Sequence, residues 1–218
     1  MFIPYSVDVP MQRWPFMNWA VIVVTVVMSV VTLMSPDEFE PWMLIGPGEY
    51  FSIAGLFGSL VTHLDPVHLI GNMVFLFVFG NAVNAKIGHL PFVLCYAGVG
   101  VVEGLAWALL ANGPALGASG AIMGMVGMFV VFYPRNDVSV AYWFYFRGGS
   151  FELPGLAVVG AYFAFDLWGM LAGGGEVAYL AHIAGFVAGF AVASAFVLAG
   201  LFPSDSDEEN LYEVLGVR

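Results

Sequence analysis

The chain reads as an all-α polytopic membrane protein, a bundle of six transmembrane helices, and three observations carry that reading. Of its 218 residues, 61% are hydrophobic and 10% charged, with a mean hydropathy of +0.90. Ordinary globular chains run about 45–50% apolar and about 25% charged. Six apolar segments stand out, against the ~20 residues a helix needs to cross a hydrocarbon core ~30 Å thick. The five Lys and Arg residues all fall on one side once six crossings are counted.

Segment one is placed at Trp19–Met34. The stretch before it holds three prolines and no apolar run, so no cleavable signal peptide is expected. The connection to segment two, Pro66–Val83, is long and contains Pro36, Pro41, Trp42, Pro47, Phe51 and Phe57. That mixture predicts a loop lying partly in the membrane interface. Segments three to six follow at Leu90–Leu110, Ser119–Tyr133, Leu153–Leu171 and Val177–Phe202. The resulting division is a cytoplasmic N-terminal segment (1–17), a six-helix domain (18–202) and an acidic tail (203–218). The tail carries Asp205, Asp207, Glu208, Glu209 and Glu213 and reads as a solvated, short amphipathic end. No internal repeat of the transporter kind is visible. The net charge of −11 argues against nucleic acid, whose binding needs cationic side chains. Cys95 is the lone cysteine, so no internal disulfide forms.

Charge sets the orientation. Arg13 precedes segment one, Lys86 lies between segments two and three, Arg135 and Arg147 between four and five, and Arg218 ends the chain. Positive loops face the cytoplasm, so both termini are predicted to be cytoplasmic. Counted back from Pro134-Arg135, Ser119 lies about 22 Å above the inner face, roughly 8 Å below the outer boundary. His182, about five residues into segment six, reaches the same level. A helix start at that depth must line a water-filled or protein-walled cavity rather than meet lipid.

Ser119 and His182 are a minimal nucleophile and base, and ionisable or polar groups inside a bilayer are costly unless they act. In segment four Gly120, Gly124 and Gly127 recur at spacings of four and three. In segment six Ala178, His182, Gly185, Gly189 and Ala193 share a face. Small residues so spaced let membrane helices touch closely. His68 and Asn72, four apart on segment two, come to the level of Ser119 and offer an imidazole and an amide to an oxyanion.

Three stretches resemble the rhomboid intramembrane serine proteases: His63-x4-His68-x3-Asn72, Gly117-Ala118-Ser119-Gly120-Ala121-Ile122 with Gly124, and Ala181-His182-x2-Gly185-x3-Gly189. Their order and the six segments match the six-span core form, the bacterial and archaeal type. The resemblance implies Ser119 as nucleophile and His182 as general base and acid, a pair without an acidic third member. It also implies His68 and Asn72 in the oxyanion hole and His63 as a histidine that structures the loop. Gly117, Gly120, Gly124, Gly185 and Gly189 are implied as structural support. No cofactor and no metal are expected. The partners implied are transmembrane protein substrates within the lipid bilayer of a prokaryotic cytoplasmic membrane, with the site opening to the outer side. Two features depart from the pattern. Met123 stands where many members carry an aromatic four residues after the serine, and a Trp-Arg pair of the first loop is absent.

Other chemistries fit less well. His63, His68 and His182 could hold zinc, but no H-E-x-x-H helix is present. Asp166 and Glu103 lack an aspartyl-protease motif and read as structural or gating groups kept in protein or water. Asp166-Leu167-Trp168-Gly169 resembles the rhomboid helix beside the lateral substrate opening, which makes Trp168 and Asp166 a candidate gate. A catalytically inactive rhomboid-like protein binding membrane clients is the nearest alternative. A small transporter would string polar groups through both leaflets, whereas here the inner halves of segments four and six are apolar.

Overall fold

The computed structural model describes residues 2–63, 65–172, 178–205 and 208–217. All six apolar segments form helices. In chain order the helices are α1 (Phe16–Met34), α2 (Pro36–Met43), α3 (Ile53–Gly58), α4 (Pro66–Phe75), α5 (Asn81–Ile87), α6 (His89–Leu110), α7 (Ser119–Phe132), α8 (Gly155–Leu171), α9 (Tyr179–Leu198) and α10 (Leu211–Val214). A π-turn, Leu76–Gly80, joins α4 to α5 as one span. The expected start of segment six at Val177 lies outside the described residues. Among the described residues four spans are long and apolar enough to cross a membrane: α1, α4–α5, α6 and α9. At 14 and 17 residues, α7 and α8 are shorter.

The short α7 is apolar on every side because every one of its residues is buried. A helix hydrophobic all round belongs in the middle of a bundle, and α7 forms its centre. Toward its C-terminal end Phe129 packs against Phe79, ring centroids 5.0 Å apart. The outer helix α1 is built the other way round. Its buried residues are the polar Asn18, Thr25, Ser29 and Thr32, while Val23, Val24, Val27 and Val30 are exposed. Lipid tails solvate valine as well as protein does, so the polar stripe turns inward, where Asn18 and Ser29 find partners. Asn18 donates from its amide to the Leu76 carbonyl and to Asn81 Oδ1, both at 2.8 Å, which ties α1 to the π-turn.

The directions of α7, α8 and α9 alternate. α8 and α9 are antiparallel: Asp166 meets His182, Gly169 meets Tyr179, and Phe163 meets Phe186. α7 and α9 are parallel, with Gly120 against Gly185 and Gly124 against Gly189.

Outside the helices the structure adds an antiparallel sheet of order β1-β2-β3, from β1 (Phe2–Val7), β2 (Asp137–Phe144) and β3 (Arg147–Pro154). The sequence reading did not anticipate it. The alternation of buried Val138 and Val140 with partly exposed neighbours is a half-buried strand pattern, but a short one. The N-terminal segment is therefore not separate, since β1 pairs with β2. Nor is the tail simply solvated. Glu208 and Asn210 are each 6% exposed. Lys86 Nζ donates to the Pro203 carbonyl at 2.8 Å and faces Glu208 at 3.8 Å, and Arg135 pairs with Glu209. Asn210 caps α10 in a capping box with Glu213. Burial pushes the Glu208 carboxyl up to about 7 against the pull of Lys86. The cations Arg13, Lys86 and Arg135 thus gather with the tail at one end, where the guanidinium of Arg13 also lies against Gly88.

Candidate active site

The loop before α7 is pinned on both sides. Ala115 and Ile45 exchange backbone hydrogen bonds of 2.8 and 2.9 Å, and the Gly117 N–H donates to the Ser59 carbonyl at 3.0 Å. Gly117 has φ +123°, and a Cβ there would sit 3.1 Å from His68 Cε1. Backbone conformation and ring contact both call for glycine. Ser119 is the first residue of α7 and is 8% exposed. The first hydrogen bond within the helix runs from Ile122 N to Ala118 O at 2.9 Å. The N–H groups of Ser119, Gly120 and Ala121 therefore precede the ladder, at the positive end of the helix.

Two glycine contacts bring His182 to this level. A Cβ on Gly185 would overlap the Gly120 carbonyl, and one on Gly189 would overlap the Gly124 carbonyl. The register is constant over that four-residue step. One turn before Gly185 on α9, His182 comes to the level of the start of α7. On its other side α7 meets α6, since a Cβ on Gly120 would lie 2.6 Å from the Glu103 carboxyl carbon. Among the described residues no hydrogen bond joins Ser119 to His182. Such bonds are often long in unliganded sites and tighten when substrate binds.

His182 is held from α8. Its Nδ1 lies 3.1 Å from Asp166 Oδ1, and the Tyr179 ring stands edge-on with centroids 6.4 Å apart. Trp168 is 71% exposed, so the two residues read together as a gate part company. Asp166 turns inward to the histidine and Trp168 outward.

The three remaining polar residues form a second unit. His63 is fully buried. Its Nε2 accepts from the Asn72 amide at 2.7 Å, and its Nδ1 pairs with Ser29 Oγ at 3.0 Å. An amide nitrogen only donates, so Nδ1 carries the proton and donates to Ser29. Burial, reinforced by His68, pushes His63 down to about 4, so it stays neutral. The His68 ring meets that of His63 edge to face at 5.2 Å, and both rings lie against Gly117. Asn72 spends one amide hydrogen on His63 and keeps its second. His68 sits in the first turn of α4, whose cap Asp65 accepts from the N–H groups of Val67 and His68.

A small cavity of about 10 Å³ borders Ser119 and is lined by Ser59, Glu103, Trp107, Gly117 and Ala181, space on the order of one water. Among the described residues no group of three or more His, Cys, Asp or Glu side chains is arranged to hold a metal ion.

Two members of the site escaped the sequence reading. Ser29 was signalled by the spacing Asn18, Thr25, Ser29, Thr32, a polar helix face in an apolar span. The Asp166–His182 contact was signalled only by two matching steps of three, Asp166 to Gly169 and Tyr179 to His182.

Comparison with known proteins gives a consistent picture. A family model for the rhomboid domain matches residues 50–199. The chain is 30% identical over 160 residues to the mitochondrial rhomboid protein 1 of Saccharomyces cerevisiae, covering 69% of this chain and 44% of that protein. It is 34% identical over 84 residues to the rhomboid protease GluP of Bacillus subtilis, covering 38% of this chain and 16% of that protein. The chain thus spans less than half the length of these curated relatives.

Proposed function

The chain belongs to the rhomboid family of integral membrane proteins, and from that premise we propose that it is an intramembrane serine endopeptidase acting on transmembrane helices. The observation that supports this reading is the glycine register of α7 and α9, in which Gly185 lies against Gly120 at the start of the helix that begins with Ser119. In the proposed reaction Ser119 Oγ attacks a peptide carbonyl carbon as His182 takes the hydroxyl proton. Negative charge then forms on the carbonyl oxygen. His68, the free amide hydrogen of Asn72 and the N–H groups at the start of α7 stabilise it. His182 returns the proton to the leaving amine, and water admitted beside Ser119 hydrolyses the acyl-enzyme.

The substrate would enter sideways and partly unwind, because a helical amide is shielded by its own hydrogen bonds. The family resemblance adds a small residue before the scissile bond. Charge placement supports cytoplasmic termini with the site opening outward.

The test is cleavage of a labelled transmembrane helix by purified protein in vesicles. Cleavage by wild type, with Ser119→Ala and His182→Ala each slower by on the order of 10⁴-fold or more, supports the reading. Equal cleavage by all three, or none by wild type, overturns it. Fluorophosphonate labelling of Ser119 that is lost in His182→Ala tests the pair independently of the substrate chosen.

A further inference from the structure

We propose that the β2–β3 hairpin is a membrane anchor, its apolar face and aromatic tip seated in the phospholipid interface beside the helix bundle. The inference rests on the spanning helices alone and is independent of the chemistry at Ser119.

The sheet is amphipathic. Residues directly opposite one another across paired strands share a face, and side chains alternate along each strand. Phe2, Tyr142 and Gly149 stand in one row, Pro4, Val140 and Phe151 in the next, and Val138 with Leu153 in a third. Phe144 and Arg147 end the same face, which is apolar apart from that arginine. The other face of β2 and β3 carries Asp137, Ser139, Ser150 and Glu152 beside Ala141 and Trp143. The apolar face outruns the helices. Val138 and Val140 are buried at the root of β2, whereas exposure climbs from 37% at Tyr142 to 98% at Phe146, and all of β3 is exposed.

The surroundings say what covers this surface. The apolar face adjoins α8 across a groove of about 340 Å³ lined by Phe2, Val140, Phe151, Ala157, Ala161 and Tyr162. Leu156 and Phe165 of α8 are themselves exposed. On the other side, β1 borders a groove of about 490 Å³ with Val26 of α1, Ile70 of α4 and Phe77 of the π-turn, all exposed residues of two spans. The uncovered apolar surface of the sheet therefore continues the surface that lipid covers on the helices. Depth follows from the backbone. β3 is an edge strand, and its unpaired N–H and C=O groups bar it from the hydrocarbon core. The headgroup level accepts them, and it is where Tyr and Trp rings are favoured. Arg147 at the end of the apolar face then extends its guanidinium to lipid phosphate, and Ser139, Ser150 and Glu152 face water.

The experiment attaches an environment-sensitive fluorophore to Phe146→Cys in a Cys95→Ala background. The full chain is held in nanodiscs of phosphatidylcholine and phosphatidylglycerol, where solvent reaches both membrane faces. Phe144→Cys gives a second position on the apolar face, Ser150→Cys a reference on the polar face, and thermal unfolding checks that each variant folds. Nitroxide-bearing lipids quench from the membrane and iodide from the water. At Phe146→Cys and Phe144→Cys the lipid quenchers should place the fluorophore about 5–10 Å into the headgroup–acyl boundary. Iodide quenching there should be several-fold weaker than at Ser150→Cys. Equal iodide quenching at all three positions overturns the proposal. Protection present with two copies in a disc and absent with one assigns the tip to a second copy of the chain, and overturns it as well.

Discussion

His63 and His182 are both imidazoles enclosed by helices, yet the protein holds them in opposite ways. His63 has no exposed surface and commits both ring nitrogens, one to Ser29 of α1 and one to Asn72 of α4. His182 is tied by Nδ1 alone, to Asp166. A ring with both nitrogens engaged is a strut. A ring with one nitrogen engaged is oriented and still has a site for a proton. The contrast shows how one residue type is held in two ways within the same bundle, with the second hydrogen bond making the difference.

The sharpest break of that contrast is a direct exchange of readouts. His182→Ala should abolish cleavage, by on the order of 10⁴-fold or more, with little change in thermal stability. His63→Ala should mainly destabilise, by about 2–4 kcal/mol, because Ser29 and Asn72 lose their partner and a cavity opens. Unfolding followed by heat or denaturant, beside cleavage of a model helix, separates the two. A His63→Ala protein of unchanged stability and no activity would collapse the distinction.

Next comes the packing of α9 on the start of α7. Gly185→Ala should cost about 3 kcal/mol or more and most of the activity, since its Cβ would overlap the Gly120 carbonyl and neither backbone can yield easily. Gly160→Ala in α8 is the control. Nothing lies within 4 Å of a Cβ there, so stability should hold or rise by up to about 1 kcal/mol.

The smallest effect concerns pH. His63 has an ordinary value of 6.5 that burial lowers to about 4 in the folded protein. Between those values the unfolded chain binds the proton and the folded one does not. His63 therefore adds stability that is fully present above pH 6.5 and is lost as pH falls toward 4, by up to ~3 kcal/mol. His63→Gln, which keeps an amide in place of the ring, should flatten that slope. A slope unchanged in the variant would assign the acid sensitivity to another group.

Much of the architecture was legible because hydropathy and helical spacing are local. The six apolar segments all became helices, and Ser119 stands at the start of its helix as the Gly-Ala-Ser-Gly stretch predicts. The glycine steps in segments four and six foretold their contact because a missing side chain at a regular spacing has one strong use in a membrane. The sheet was not legible. Its β2 and β3 strands fall in a stretch of mixed polarity between two spans, and β1 finds its partner more than a hundred residues away. The tail was misread as solvated because Lys86, its anchor, is 117 residues from Pro203.

By itself, then, the sequence determined the family and the apolar helices, and it singled out the serine and histidine proposed to carry the chemistry. These follow from quantities that add up along the chain: apolar length, charge order and 1.5 Å of rise per residue. Only the tertiary structure decided that Asp166 meets His182 while Trp168, two residues on, turns away, and that His63 is closed on both sides. Those outcomes depend on the rotation and register of one helix against another. Contacts such as Gly169 on Tyr179 and Gly185 on Gly120 set that rotation, and their effect exists only once the helices are packed together.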